Sequence, residues 1–360
     1  MATFHKLKVK EVRPETEDCV SVAFEVPTDL LDQFSFIQGQ YLTVKAEVDG
    51  QEIRRSYSIC TAPQDDDLRV AIKKVPGGLF STYANEELVP GQELEVLEPA
   101  GRFYTTLDPR HEKHYVGFAA GSGITPVMSI LRTVLQAEPN SHFTLFYGNK
   151  GVDTIIFRED LEALKNTFLG RLSIHHILSR EHTGSDLFYG RIDAEKATAF
   201  FQKILDPQEV DDVFLCGPEP MILAVRETLQ RAGVPDEQIH FELFTSSLAL
   251  QEQARRKRQE RQQSGEAIEA QIRIQLDGNL LEFPMRADDD SILDAALRNG
   301  ADLPYACKGG VCSTCRAKVE SGEVDMLINY ALEPEEVSEG FVLTCQAIPK
   351  SESVIVNFDV

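Results

Sequence analysis

Residues 305–315 read Tyr305-Ala306-Cys307-Lys308-Gly309-Gly310-Val311-Cys312-Ser313-Thr314-Cys315, and a fourth cysteine, Cys345, follows 30 residues later. Four thiolates can hold zinc or an iron–sulfur cluster. Structural zinc sites usually offer Cys-x2-Cys pairs, whereas the first gap here is four residues. Gly309 and Gly310, with the small residues Ala306, Ser313 and Thr314, let a backbone wrap closely around a compact inorganic core and aim N–H groups at its sulfides. The spacing is that of a [2Fe–2S] centre, with Cys307, Cys312, Cys315 and Cys345 as expected ligands. Zinc, or buried or disulfide-bonded cysteines without metal, are the alternatives. Cys19, Cys60 and Cys216 have no partner at ligand spacing, and seven cysteines are too few for a disulfide scaffold.

Around this loop, residues 270–360 read as one small domain. Ile272–Leu276 and Asn279–Met285 flank an Asp277-Gly278 turn, a hairpin signal. Ser291-Ile-Leu-Asp-Ala-Ala-Leu-Arg-Asn-Gly300 is a helix stopped by glycine, and the tail, Glu352 to Val360, alternates as a strand does. The domain carries 7 basic and 16 acidic side chains, a formal charge of -9. An iron–sulfur centre passes one electron at a time and does no bond chemistry alone. The preceding residues should therefore supply or receive its electrons.

Upstream, residues 247–269 are polar, with Arg or Lys at 255, 256, 257, 258 and 261. They read as an interdomain tether from Ser247 to Ser264-Gly265 and beyond, helical in its first half. A nucleic-acid patch is the rival reading, disfavoured by the acidic remainder. Residues 109–246 alternate strands (His114–Ala120, Phe143–Asn149, Ser173–Ser179, Val210–Cys216, Ile239–Phe244) with helical runs, including Val127–Glu138, Thr154–Phe168 and Met221–Gly233, which indicates a parallel sheet covered on both faces. Residues 1–108 hold six short strands divided by turns and suggest a small antiparallel barrel.

The whole chain is 360 residues with 36 Lys plus Arg against 58 Asp plus Glu, a net charge of -22 that argues against nucleic-acid binding. The first residues do not read as a signal peptide, and no run of 18 apolar residues occurs. A cytoplasmic protein without membrane insertion is expected.

Arg55-Ser56-Tyr57-Ser58 and Gly77-Gly78-Leu79-Phe80-Ser81, 22 residues apart in the barrel, resemble the R-x-Y-S and G-G-x-x-S flavin elements of the ferredoxin–NADP reductase superfamily. The resemblance implies FAD. Arg55 would pair with its pyrophosphate, Tyr57 would lie against the ribityl chain and ring, and Ser58 would reach N5. Gly77 and Gly78 would let backbone N–H groups approach phosphate, and Ser81 and Thr82 would cap a helix facing it. Taken alone, either element is also an ordinary strand or turn.

Gly121-Ser122-Gly123-Ile124-Thr125-Pro126 follows a strand and opens a helix, with Pro126 where a dinucleotide fingerprint has its third glycine. It matches the superfamily's pyridine-nucleotide loop, as does Cys216-Gly217-Pro218, after which Met221 opens a helix. Gly121, Gly123, Thr125, Pro126, Gly217, Pro218 and Met221 are the candidate contacts, and the resemblance places Cys216 near the nicotinamide. Ser179-Arg180 matches the pair that NADPH-using members set against the 2′-phosphate. Glu242 and Phe244 stand where the family has an acidic and an aromatic residue beside the flavin. Ser58, Cys216, Glu242 and Phe244 are thus the candidate catalytic residues. Core packing is the plainer reading of Cys216, Glu242 and Phe244.

Domain order and flanking text, including Gly190-Arg191-Ile192-Asp193, are similar to reductase subunits of bacterial phenylacetyl-CoA epoxidase complexes. The resemblance implies an NADPH-dependent reductase passing electrons through FAD and [2Fe–2S] to a di-iron oxygenase subunit, met through the acidic ferredoxin domain. The expected folds are an antiparallel β-barrel, a parallel α/β domain and a β-grasp-like plant-type ferredoxin. The alternative is a reductase, NADH-dependent in one version, for another hydroxylase, a dioxygenase or a lipid desaturase.

Overall fold

A computed structural model describes residues 3–244, 248–264 and 268–360. Two compact units emerge: His5–Ile53 with Tyr57–Glu242, and Leu243–Val360 with Arg54–Ser56 and the N-terminal residues up to Phe4.

The first unit begins with strands β1 (His5–Thr16), β2 (Cys19–Glu25), β3 (Tyr41–Val48), β4 (Gln51–Ser58) and β5 (Leu68–Lys73), helix α1 (Leu79–Glu86) and strand β6 (Glu93–Val96). The period of two in β1 buries Leu7 and Val9 and leaves Lys6, Lys8 and Lys10 exposed. The order β4-β3-β6-β1-β2-β5 is closed by a bridge between Ile59 and Val70, just past one edge strand and within the other. Leu7, Val22, Leu42, Val44, Ile59, Val70 and Val96 fill the interior. This is the expected antiparallel barrel.

Next come β7 (His114–Ala120), α2 (Ile124–Ala137), β8 (His142–Asn149), α3 (Arg158–Thr167), β9 (Leu172–Leu178), α4 (Ala194–Lys203), β10 (Asp212–Cys216), α5 (Glu219–Arg231) and β11 (Ile239–Glu242). All five strands are parallel, in the order β11-β10-β7-β8-β9. The chain winds outward from β7 and then jumps to its other side, so the strand order reverses between β7 and β10. Ligands of open α/β sheets bind outside the carboxyl ends of the strands at such a switch point. Two helices differ from expectation. α3 starts at Arg158 rather than Thr154, because Ile155, Ile156 and Phe157 are buried as core and Phe157 takes a left-handed φ of 60° that breaks the helix before it. α4 is an element the apolar pattern does not single out. Asp193 caps it, accepting the Lys196 N–H at 2.9 Å.

The second unit contains α6 (Leu248–Ser264), β12 (Ala270–Leu276), β13 (Asn279–Met285), α7 (Ile292–Arg298), β14 (Arg316–Ser321), β15 (Val324–Met326), α8 (Pro334–Ser338), β16 (Phe341–Leu343), β17 (Ala347–Pro349) and β18 (Ser353–Asn357). A mixed sheet, β13-β12-β18-β14-β16, packs on α7 through Ile272, Ile274, Ile292, Leu293, Val354 and Val356. Asp277 and Gly278 both take left-handed φ, the two-residue turn of a twisted hairpin. Ser291 caps α7 by accepting from the Asp294 N–H at 3.1 Å.

The tether is corrected by α6. It is helical through Ser264, not in its first half alone, and Ala254 is buried. Arg258 lies 3.6 Å from Asp290, and Arg261 reaches Asp325 at 3.4 Å and the Pro349 carbonyl at 3.2 Å. Opposite charge on the neighbouring acidic fold supplies the partners that the helix's own weak apolar stripe does not. Ser247 and Gly265 lie outside the described residues. Among the described residues no helix is long and apolar enough to cross a membrane.

Candidate functional site

β4 carries Arg55, Tyr57 and Ser58. Arg55 is exposed, with one guanidinium nitrogen donating to the Arg54 carbonyl at 2.7 Å. The half-buried Tyr57 ring sits 5.7 Å from that of Phe80, in the first turn of α1. Ahead of that helix, Gly77 has a φ of +74° and open space beside it. Gly78 is the N-cap, where a Cβ would come within 2.5 Å of Ser81 Oγ.

The expected cap is corrected here. Ser81 and Thr82 lie inside α1, and Ser81 instead accepts the Val75 N–H at 3.1 Å and donates to the Gly78 carbonyl at 3.2 Å. Its hydroxyl closes the 75–78 turn, because the helix begins three residues earlier than a serine cap requires. The glycine turn that opens α1 and the half-buried Tyr57 ring against Phe80 thus belong to the barrel, while Arg55, two residues before Tyr57 in the chain, keeps an exposed guanidinium.

Ser58 is buried at the end of β4, and its hydroxyl donates to Glu242 Oε2, at the end of β11, at 3.2 Å. Burial pushes the Glu242 carboxyl up to about 8, against the smaller opposing effect of the Ser58 hydrogen bond. At neutral pH the pair is therefore a hydroxyl and a neutral acid. Phe244 lies half-buried two residues on.

At the β7–β10 switch point the two glycine loops interlock. A Cβ at Gly123 would fall 2.1 Å from the Cys216 carbonyl oxygen, and one at Gly217 would meet the Ala120 backbone nitrogen at 3.2 Å and the Met221 methyl at 2.7 Å. Gly121 takes a φ of +55° with nothing near it. Glycine is thus required at 123 and 217 by close approach and at 121 by conformation. Thr125 and Pro126 are buried in the first turn of α2, where Thr125 Oγ1 donates to the Ser122 carbonyl at 3.0 Å. Pro218 is the N-cap of α5, and Met221 is buried in its first turn. Cys216 is fully buried, and desolvation raises its thiol well above the usual range. It is therefore a neutral thiol beneath the loop rather than a nucleophile. Ser179 is half-buried and Arg180 exposed past the end of β9.

The four cysteines converge. Their sulfur contacts run in series from Cys312 to Cys307 (3.1 Å), to Cys345, to Cys315. Hydrogen bonding within the group, from the Cys312 and Cys345 thiols and then the N–H groups of Gly309 and Val311, holds the Cys307 thiol well below its ordinary value, while contact with Cys307 pushes the Cys312 and Cys345 thiols well above theirs. Among the described residues no three His, Cys, Asp or Glu side chains are grouped to hold a single metal ion. Cys307, Cys312, Cys315 and Cys345 are the residues that would hold a [2Fe–2S] cluster, which would supply single-electron transfer. Gly310 has a φ of +73°, and a Cβ there would lie 2.7 Å from the Ile328 carbonyl oxygen. Lys308, at φ 51°, is held by Asp294 at 2.8 Å.

Arg54 is not a residue that sequence reasoning assigns to the C-terminal unit. Its buried guanidinium donates to Asp302 Oδ1 at 2.9 Å and the Leu303 carbonyl at 3.1 Å and lies over the Tyr305 ring, two residues before Cys307. Its place beside Arg55 in an ordinary strand text carries no signal of this.

Three family models match the chain: an oxidoreductase FAD-binding domain over residues 6–104, an oxidoreductase NAD-binding domain over 118–227 and a 2Fe-2S iron-sulfur cluster binding domain over 274–350. The chain is 44% identical over 359 residues to a component of the 1,2-phenylacetyl-CoA epoxidase of Escherichia coli K12, covering 100% of this chain and 99% of that protein. It is 33% identical to the ferredoxin reductase component of 3-ketosteroid-9-alpha-monooxygenase of Rhodococcus rhodochrous, with 98% and 96% covered. Against the glycine betaine monooxygenase reductase subunit of Pseudomonas aeruginosa UCBPP-PA14 it is 29% identical, with 98% and 94% covered. The solved structure of phthalate dioxygenase reductase shares the fold at a TM-score of 0.58 and 23% identity, over 99% of this chain and 98% of that one. The chain belongs to the family of electron-transfer reductases of oxygenase systems, ferredoxin–NADP reductase-like proteins that join FAD-binding, NAD-binding and [2Fe–2S] domains.

Proposed function

We propose that this protein takes hydride from NADPH and delivers single electrons, in the cytoplasm, to a di-iron oxygenase subunit that epoxidises phenylacetyl-CoA. The observation that carries the reading is the gathering of Cys307, Cys312, Cys315 and Cys345 into one sulfur cluster downstream of paired flavin and nucleotide elements. The 44% identity to a component of a phenylacetyl-CoA epoxidase over the whole chain supports this oxygenase in particular.

The work divides among residues 1–108, 109–246 and 270–360, with 247–269 between. FAD, when bound, supplies the conversion of a two-electron donor into single-electron steps, and the cluster takes electrons singly. Arg55 pairs with the flavin pyrophosphate, the N–H groups around Gly77 and Gly78 approach it, Ser81 and Thr82 support that turn, and Tyr57 packs on the ring system. Ser58 donates toward the flavin edge that accepts hydride, and Glu242, neutral at pH 7, removes negative charge from the face that the nucleotide must approach. Gly121, Gly123, Thr125, Pro126, Gly217, Pro218 and Met221 shape the switch-point crevice for the dinucleotide. Cys216 and Phe244 border the nicotinamide position, and Ser179 and Arg180 take the 2′-phosphate. The acidic domain, at -9 over residues 271–360, meets a basic face of the oxygenase.

Purified protein is mixed with the candidate oxygenase subunits, and epoxide formed per NADPH oxidised is measured, with iron and acid-labile sulfide determined on the same sample. Coupled product near one per NADPH and two irons per chain are expected. NADPH oxidation without coupled product overturns the assignment of the oxygenase. Zinc in place of iron overturns the assignment of the cluster.

A further inference from the structure

The β8–β9 ladder does not stop where the strands do. Past Asn149, the Ser179 N–H donates to the Asn149 carbonyl at 2.9 Å and the Arg180 N–H to the Lys150 carbonyl at 2.9 Å. Glu181 then turns its carboxylate back across the gap, and Oε2 accepts the Val152 N–H at 2.9 Å. Gly151 lies directly beneath, where a Cβ would sit 3.1 Å from that oxygen and 3.0 Å from Asp153 Oδ1. Thr154 closes the same turn, accepting the Gly151 N–H at 3.1 Å and donating to the Gly151 carbonyl at 2.8 Å. The turn after β8 and the segment after β9 are thereby stapled together. Arg180 stands exposed between the last ladder bond and the staple.

A carboxylate next in sequence to Arg180 would repel a phosphate if it faced the same way. Here it is engaged by a backbone N–H on the neighbouring loop instead. We infer that Glu181 is a positioning residue for nucleotide selection: by holding the Val152 N–H it fixes segment 179–181 so that Arg180 is presented to the 2′-phosphate of the nucleotide. The inference rests on the proposed NADPH reading. It assigns Glu181 a hydrogen-bonding role, not a charge role, and separate substitutions isolate the two. Glu181→Gln keeps an acceptor oxygen and loses the charge. Glu181→Ala loses both. Val152→Pro removes the donor and leaves the carboxylate intact. Val152 is the first residue of a short 3-10 turn, with Gly151 before it extended at φ -152° and ψ 176°, so proline is accommodated there.

The test uses the FAD- and cluster-loaded full chain, with KM for NADPH and NADH from steady-state kinetics and Kd for 2′-AMP from calorimetry. Glu181→Ala and Val152→Pro should each raise the NADPH KM and the 2′-AMP Kd about fivefold, the scale of one partly exposed hydrogen bond, and move the NADH KM less than twofold. Glu181→Gln should stay within twofold of the parent for all three. Equal losses for Gln and Ala, a silent Val152→Pro, or equal effects on NADPH and NADH overturn the inference. Arg180→Ala, run alongside, keeps the two readings apart. If it weakens both nucleotides alike, the NADPH reading falls. If it is selective and Glu181→Ala is not, the role of Glu181 falls.

Discussion

Glu242→Gln should remove a pH dependence that the native protein carries. In the folded chain burial raises the Glu242 carboxyl from its ordinary 4.5 to about 8. Between those values the folded protein holds a proton that the unfolded chain has released. Stability from this group is therefore fully present below about pH 4.5 and is lost as pH rises through 8. Each pH unit of that interval is worth about 1.4 kcal/mol, which caps the swing at about 5 kcal/mol. The side chain is only partly sealed from water and accepts a hydrogen bond from Ser58, so a swing of about 4 kcal/mol is expected, which still leaves the carboxyl largely neutral at pH 7. Glutamine cannot ionise. Urea unfolding at pH 5.5, 6.5, 7.5 and 8.5, followed by release of flavin fluorescence, should show the variant gaining on the parent by about 3 kcal/mol, the part of the swing that lies above pH 5.5. A constant difference between parent and variant would show that Glu242 is ionised throughout, and the neutral acid assigned beside Ser58 would have to be abandoned.

Cys312→Ser should lose iron and the EPR signal of the dithionite-reduced protein while retaining FAD, and NADPH would still bleach the flavin as transfer to a cytochrome-type acceptor fell steeply. Full cluster retention would remove Cys312 from the ligand set. Arg180→Ala should raise the NADPH KM roughly tenfold or more, the worth of charge-assisted hydrogen bonds to a phosphate at about 1.5–3 kcal/mol, and shift the NADH KM far less; steady-state kinetics with both nucleotides decide it. Electron transfer to the oxygenase should slow as ionic strength rises while hydride transfer from NADPH changes little, read by stopped flow across a salt series. Salt sensitivity confined to the hydride step would remove the steering role of the acidic domain.

Much of the arrangement is legible in the amino-acid text because local rules and the global fold agree in it. Alternating β1 and the continuous apolar strands β7 and β10 have the periods of a half-exposed barrel and a doubly covered sheet, and they form those. Ser58 and Glu242, 184 residues apart, carry separate signals in the sequence and meet at 3.2 Å. What escapes the text depends on contacts between distant segments. Ser81 has the composition of a helix cap, but whether it caps depends on where α1 starts, and Gly78 decides that. The run Ile155-Ile156-Phe157 has apolar character that suits a helix as well as a plug in the core, and a left-handed Phe157 settles it against the helix. Glu181 gives no signal because its partner is a backbone N–H, which every residue except proline possesses.

The charged segment before the last domain shows the same limit and bears on the salt effect. A balance of -9 treats every acid of residues 271–360 as free to steer a partner. The structure spends several of them internally. Lys308 holds Asp294, Arg298 holds Asp289, Arg316 holds the buried Glu336, and α6 brings Arg258 to Asp290 and Arg261 to Asp325. The basic helix and the acidic fold that follows it are thus one electrostatic body, and the helix offsets Asp290 and, at the β15 edge, Asp325. Glu320, Glu323, Glu333, Glu335 and Glu339 stay exposed. Long-range attraction depends on the summed field, which the helix lowers, whereas the direction of approach depends on where uncompensated charge remains. The field of this domain is consequently weaker than its composition implies, and exposed acids remain around α8, at the turn after β14 and at Asp288, so on the proposed reading those are the acids toward which a partner would be steered.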